Sequence, residues 1–177
     1  PSLGLCKGFY GWLPDYPDFR DFTVETKSVP RRLRHLNHNA SPHAMFRKAG
    51  IVEAAKVKLP GSVDLREWCS PVEDQDDLGS CTAHAGIGLV EYYERKAFGK
   101  HIDASRLFLY KTTRNLMHQK GDTGAYLRTT MEALILFGVP PEEFWPYDIE
   151  NYDKEPTAFC YSFAQNYQTL QYVRLDP

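Results

Sequence analysis

The sequence has no long hydrophobic run, no dominant sign of charge and few cysteines. Its longest apolar stretch, Ala133 to Phe137 and on past Gly138 to Val139, is about a third of the ~20 residues that a membrane helix needs. No transmembrane segment and no membrane partner are expected. No secretory signal is visible, although a chain that opens on Pro1 can already have been trimmed, so the cytoplasm is only slightly favoured over secretion. Lysine and arginine number 21 against 23 aspartates and glutamates, for a net charge of −2. A nucleic-acid binder would carry a basic excess, so that class is set aside. Four scattered cysteines in 177 residues are too few for a disulfide scaffold. Aromatic residues, by contrast, make up 14% of the chain, more than a disordered chain carries, so a packed core is expected.

Charge divides the chain. Residues 1–59 hold ten Lys/Arg and five Asp/Glu, net +5, whereas residues 60–177 hold eleven and eighteen, net −7. Two surfaces that attract each other would produce such an asymmetry. Residues 1–58 read as mostly extended. Pro14, Pro17, Pro30 and Pro42 break any long helix, and only Ala44 to Val57 looks weakly helical. The stretch from Gly11 to Asp21 carries the aromatic anchors Trp12, Tyr16 and Phe19, and Arg31, Arg32 and Arg34 follow in a basic run. This segment has too few apolar residues for a core of its own and is expected to lie along another surface.

Residues 59–177 read as globular. Ser80 can cap a helix from Cys81 to about Phe98, stopped by Gly99. Asp103 or Ser105 can cap a second through Leu116, Tyr126 to Phe137 a third before Gly138 and Pro140-Pro141, and Glu155 to Gln165 a fourth. Thr169 to Leu175 alternates as a strand would.

The stretch Gln75-Asp-Asp-Leu-Gly-Ser-Cys-Thr-Ala-His-Ala85 carries the chemistry. A cysteine at a helix start sits at the positive end of the helix dipole, which favours its thiolate. Gly79 and Ser80 before it allow a tight turn and a close substrate backbone. Gln75 lies across a loop that can fold back, so its amide can join the Cys81 backbone N–H as a pair of oxyanion donors.

These residues resemble the papain family of cysteine proteases, in its divergent bacterial-type branch. Leu59-Pro-Gly-Ser-Val-Asp-Leu-Arg66 is similar to the family's mature N-terminus, Pro71-Val-Glu-Asp-Gln75 to the approach to its oxyanion glutamine, and Gly79-Ser-Cys81 to its nucleophile motif. Gly121-Asp-Thr-Gly-Ala-Tyr126 resembles the glycine-rich cleft wall, and Gly138-Val and Trp145-Pro-Tyr147 follow in the family's order. The resemblance implies an α+β papain-like fold. Residues 59–177 would be its helical left half plus the first strand of the β-rich right half, and residues 1–58 a propeptide cut near Lys56–Leu59. Two departures stand out. Leu78 replaces the half-cystine that precedes the nucleophile, Asp122 stands where its disulfide partner sits, and Thr82 replaces an aromatic. Only 96 residues follow Cys81, whereas the family's His and Asn come about 130–150 residues after the nucleophile.

The resemblance therefore implies a cysteine endopeptidase or its zymogen that acts on peptides or proteins. Cys81 would attack, Gln75 and the Cys81 N–H would hold the oxyanion, and His and Asn would come from a missing or separate C-terminal chain. Gly124 and Ala125 would pair with substrate backbone, and Tyr126 and Leu127 would line an apolar specificity pocket. No metal or organic cofactor is implied. A catalytically inactive peptide-binding module and a thiol acyltransferase on the same fold stay open. His84, one turn after Cys81, reads as a packed or hydrogen-bonded histidine beside the cleft rather than its base. His35, His38 and His43 match no zinc spacing and read as a basic loop. Cys6, Cys69 and Cys160 read as free, buried thiols. The acidic run Glu73, Asp74, Asp76 and Asp77 reads as a solvated face, with a basic segment as its alternative partner.

Overall fold

Among the residues that the computed structural model describes (11–18, 21, 60–169 and 172–174), four helices set the frame. Helix α1 (Cys81–Phe98) ends on Gly99 in the left-handed conformation, as a C-terminal glycine allows. Helix α2 (Arg106–Leu116) starts where the Ser105 hydroxyl accepts from the Phe108 N–H. Helix α3 (Leu127–Leu136) ends just before Gly138. Helix α4 (Ala158–Ala164) starts later than the sequence pattern indicates, because Thr157, not a residue near Glu155, caps it through the Cys160 N–H. Two short strands, β1 (Trp12–Leu13) and β2 (Ala125–Tyr126), pair in parallel with Trp12 opposite Ala125 and Leu13 opposite Tyr126.

Helix α2 runs through the centre. Leu107, Phe108, Leu109 and Tyr110 are fully buried, and so are Thr112, Thr113 and Arg114 on its other faces. A helix buried on all sides must find partners for its polar groups. The two threonines donate back to the Phe108 and Leu109 carbonyls, both about one turn earlier. The guanidinium of Arg106 grips Glu142 through two bonds, of 3.0 and 2.6 Å, and reaches Glu73 on its far side. Arg114 donates to Asp153 at 2.9 Å and to the Gly121 and Tyr152 carbonyls, and lies 4.3 Å over the Tyr110 ring. Around α2 pack Ala83 and Ile87 of α1, Ala133 and Leu134 of α3, and Cys160 and Ala164 of α4. The buried Glu91 of α1 accepts from the Ala104 N–H, fixing the turn into α2.

The chain forms two compact units. The first holds residues 11–15 and 65–169 of those described, and contains every element above. The second includes residues 16–18, 60–64 and 172–174. Within it, Arg174 pairs with Asp21 at 3.5 Å, and Asp21 also accepts from the Asp18 N–H.

Several expectations are corrected. The Thr169–Leu175 stretch is no strand over its described residues: Thr169 donates to the Leu134 carbonyl and Arg174 makes a lone bridge. The expected aromatic anchors Trp12 and Tyr16 are exposed. Gly11, Leu13 and Asp15 make the contacts instead, because a strand added along an edge docks through backbone and alternate side chains. Cys69 is exposed rather than buried, whereas Cys160 is buried as expected; Cys69, Cys81 and Cys160 are all free thiols. The acidic run, by contrast, is an exposed, solvated face as expected, with Glu73 also pairing with Arg106 and Asp74 accepting from the Asp76 N–H. Cys6, Phe19, Arg31, Arg32, Arg34, the three clustered histidines, Ala44–Val57 and Lys56–Leu59 lie outside the described residues.

Candidate active site

Cys81 is the first residue of α1, and a polar ring fixes the loop that delivers it. The Gln75 amide Nε2 donates to the Leu78 carbonyl at 2.8 Å, and the Gln75 carbonyl accepts from the Tyr147 hydroxyl at 2.9 Å. With its proton committed there, Tyr147 accepts from the Ser80 hydroxyl at 2.7 Å. Ser80 occupies the cap position of α1 but makes no cap bond with its side chain, contrary to expectation. Its hydroxyl is drawn to Tyr147, while its backbone carbonyl accepts from the Ala83 and His84 N–H groups. Arg106 stacks 5.2 Å over the Tyr147 ring and so ties the loop to α2. A primary amide has two N–H donors, and the Leu78 bond uses one of those on Gln75.

The opposite wall is built on Asp122. Its carboxylate accepts from the Gly79 N–H at 3.0 and 3.1 Å and from the Tyr110 hydroxyl at 2.5 Å. Tyr110 in turn accepts from the Gly124 N–H at 3.1 Å. Burial first, then the Asp122 carboxylate, pushes the Tyr110 phenol well above its ordinary range, so it stays a donor. A hydrogen-bonded carboxylate thus joins the nucleophile loop to the glycine-rich wall at the position where a half-cystine was missing from the sequence pattern. Tyr110 and Arg114 were not singled out in the sequence, and Tyr147 was read only as part of Trp145-Pro-Tyr147, without this role. A buried tyrosine gives no local signal, and only the unusual Asp122 marked this cross-link.

Between these walls lies β1. The Ala125 N–H donates to the Gly11 carbonyl at 2.7 Å. The approach is so close that a methyl group on Gly11 would stand 1.8 Å from the Gly79 carbonyl oxygen, and one on Gly124 2.3 Å from the Gly11 carbonyl oxygen. Gly11 and Gly124 also sit at φ +90° and +71°, where side chains are disfavoured. The Asp15 carboxylate then accepts from the Arg128 N–H at 2.9 Å, at the open start of α3, and pairs with the Arg128 guanidinium at 3.2 Å. The structure thus brings Gly79, Gly124 and Ala125 together around Gly11, with Gln75, Ser80 and Cys81 on the loop and helix start that flank Gly79. Tyr126 and Leu127, which follow Ala125, stand partly exposed.

The electrostatics differ from expectation. Burial pushes the Cys81 thiol up, and the Thr82 and Cys81 backbone N–H groups only partly offset this. A helix start alone does not lower this thiol, because the thiol is half-buried and no cation among the described residues offsets its desolvation. His84 is packed beside the cleft, as expected. Its Nδ1 donates to the Ser80 carbonyl at 3.1 Å, its ring meets Tyr147 edge-on at 5.1 Å, and its buried Nε2 has no partner among the described residues. Burial lowers its pKa and favours the neutral ring.

No protein-family model matches the chain. An uncharacterized peptidase C1-like protein of Acanthamoeba polyphaga mimivirus is 29% identical over 169 residues, covering 94% of this chain and 51% of that protein. The solved structure of xylellain, a cysteine protease from Xylella fastidiosa, superposes with a TM-score of 0.67 at 29% identity, over 94% of this chain and 58% of that one. Digestive procathepsin L 3 of Tenebrio molitor larval midgut shares the fold at a TM-score of 0.52 and 23% identity, over 63% of this chain. The chain spans about half the length of the curated relative it matches. In sequence and in fold, this chain is similar to the papain-like, peptidase C1-type cysteine proteases, over the helical half of their fold.

Proposed function

We propose that this chain is the nucleophile-bearing half of a cysteine endopeptidase held in a self-blocked, zymogen form. Cys81 is the nucleophile. The Cys81 N–H and the Gln75 amide hold the oxyanion, and Gly79, Ser80, Gly124 and Ala125 shape the bed for a substrate backbone. Tyr126 and Leu127 flank the specificity pocket. The general base is a histidine, oriented by an asparagine, from the rest of the protein beyond this sequence. Residues 1–58 act as the propeptide, with Gly11–Leu13 as the blocking strand.

The single observation that carries this reading is the placement of β1. It is added to the Ala125–Tyr126 edge and pressed between Gly79 and Gly124, the residues that would receive a substrate. An extended peptide is thereby accommodated through backbone bonds, which is how a strand-adding cleft binds. The raised Cys81 thiol is consistent with a nucleophile still lacking its imidazole partner.

The test uses the full-length protein before and after removal of residues 1–58. Removal is expected to start peptide hydrolysis, Cys81→Ala to abolish it, and Gln75→Ala to slow it roughly 10²–10³-fold, the usual loss for one oxyanion donor. Before removal, a thiol alkylator should label exposed Cys69 ahead of Cys81; afterwards the order should reverse. Hydrolysis that survives Cys81→Ala would refute the assignment.

A further inference from the structure

Trp145-Pro-Tyr147 stands out in the sequence, yet none of the catalytic roles above uses it. In the structure the Tyr147 hydroxyl reaches back to the loop that carries Gln75, and the start of α2 holds the tyrosine there.

We propose that Tyr147 is a positioning residue for the oxyanion donor Gln75, and that Arg106 is the anchor that sets it. The proposal rests on the protease reading above and deepens it. Three observations carry it. The first is where the hydroxyl goes. It donates to the Gln75 carbonyl at 2.9 Å, so it holds the backbone of the residue whose side chain would meet the oxyanion. The Leu78 N–H donates to the same carbonyl at 3.3 Å, and the Gln75 side chain closes the turn on the Leu78 carbonyl at 2.8 Å. The second is how firmly Tyr147 is itself set. Its N–H donates to Glu142 at 3.2 Å, the neighbouring Trp145 carbonyl accepts from the Ser105 hydroxyl at 2.6 Å, and Arg106 lies 5.2 Å over its ring. Burial pushes the Tyr147 phenol up, so it keeps the proton it donates. The third is that Arg106 grips the loop a second time. One edge of its buried guanidinium holds Glu142, and another reaches Glu73, two residues before Gln75. Gln75 is therefore bracketed, at Glu73 by Arg106 itself and at its own carbonyl through Tyr147. A donor that answers developing charge works best when it is already in place as the charge appears. The bracket gives that fixity to a residue outside any helix or strand.

The first experiment measures kcat and KM of the full-length, processed protein on a peptide substrate. Tyr147→Phe keeps the ring under Arg106 and removes only the hydroxyl. It should lower kcat about 10-fold, inside the loss of up to about 10²-fold that a misplacement of an ångström brings. KM should stay within about 2-fold, because an oxyanion donor acts in the transition state rather than on the bound substrate. In a Gln75→Ala background the same substitution should change kcat by less than about 2-fold, because the group it positions is gone. An unchanged kcat in Tyr147→Phe overturns the proposal. So does an equal loss in both backgrounds, which would make Tyr147 a support of the fold alone. The second experiment needs no hydrolysis. In the full-length chain, hydrogen exchange at the Leu78 amide reports opening of the Gln75 turn, because that amide bonds to the Gln75 carbonyl. Tyr147→Phe should speed this exchange about 2- to 10-fold, the worth of one hydrogen bond. Arg106→Lys, which keeps the charge and loses the forked grip, should speed it as well. Unchanged exchange in either variant overturns the role given to that residue. Because exchange is independent of catalysis, a failure of the protease reading would show in the Cys81→Ala test and not here.

Discussion

Replacing Gly11 by alanine should dislodge strand β1 from the Ala125–Tyr126 edge. The added methyl group would stand 1.8 Å from the Gly79 carbonyl oxygen and 2.5 Å or less from no other group than Gly79 itself. The obstacle is backbone, so no rotamer relieves it. The backbone angle adds a second cost: φ +90° is outside the region that L side chains favour. That term alone is worth about 1–2 kcal/mol, or a factor of roughly 5–30 in the opening equilibrium. Beside it stands the hydrogen bond from Ala125 to Gly11, with a net worth of about 0.5–1.5 kcal/mol; the β1–β2 pairing and the Asp15–Arg128 contacts hold the strand further along. The strain therefore equals or exceeds the bond it opposes, before the clash is counted. Hydrogen exchange at the Ala125 amide is the direct assay, and it should rise at least about 5-fold in Gly11→Ala. Alkylation of Cys81 should rise with it. Gly124→Ala is the counterpart: its methyl would meet the Gly11 carbonyl at 2.3 Å from the wall side, so it should free the strand and obstruct any substrate too. If Ala125 exchange in Gly11→Ala stays within about 2-fold of the parent chain, the close fit is not what holds the strand, and the reasoning fails.

Asp122→Ala should lower stability by about 1–3 kcal/mol, since it strands the Gly79 N–H and the Tyr110 hydroxyl, and thermal melting would show it. An unchanged melting temperature would remove Asp122 from the frame. His84 sets a pH dependence. Its folded pKa is lowered, so its contribution to stability is complete above the unfolded value near 6.5 and is lost as pH falls through the folded value. His84→Phe, which keeps a ring against Tyr147, should flatten the loss of melting temperature below about pH 6.5. An identical acid limb in the variant would assign that limb to other groups.

The helices were legible where a single residue carried the signal. Ser105 caps α2 with its own hydroxyl, Gly99 closes α1 in the left-handed conformation, and Gly79-Ser-Cys81 put Cys81 at a helix start, where it is. Tertiary partners overrode other local signals. Ser80 has the right chemistry for a cap, yet Tyr147, 67 positions away, takes its hydroxyl. Helix α2 carries polar residues on every turn and is buried on every side, because Glu142, Glu73, Asp153 and the Gly121 turn answer its cations one by one. Strand β1 was not legible: a two-residue strand has no period, and its docking depends on two glycines more than a hundred positions apart. The aromatics around it drew attention to the wrong side chains, since burial of Trp12 and Tyr16 was expected and backbone contact was found.

The Asp122 carboxylate has a consequence for working with this chain as a thiol reagent. Where a cystine spans the two loops of a cleft, the reductant that keeps a nucleophilic sulfur usable also attacks the brace beside it, and the experimenter must balance one against the other. Here the brace is two N–H bonds from Gly79 and one O–H bond from Tyr110, and the thiols at Cys69, Cys81 and Cys160 are all free. Among the described residues no disulfide braces these loops, so a reductant that keeps Cys81 in its thiol form leaves the Asp122 brace untouched.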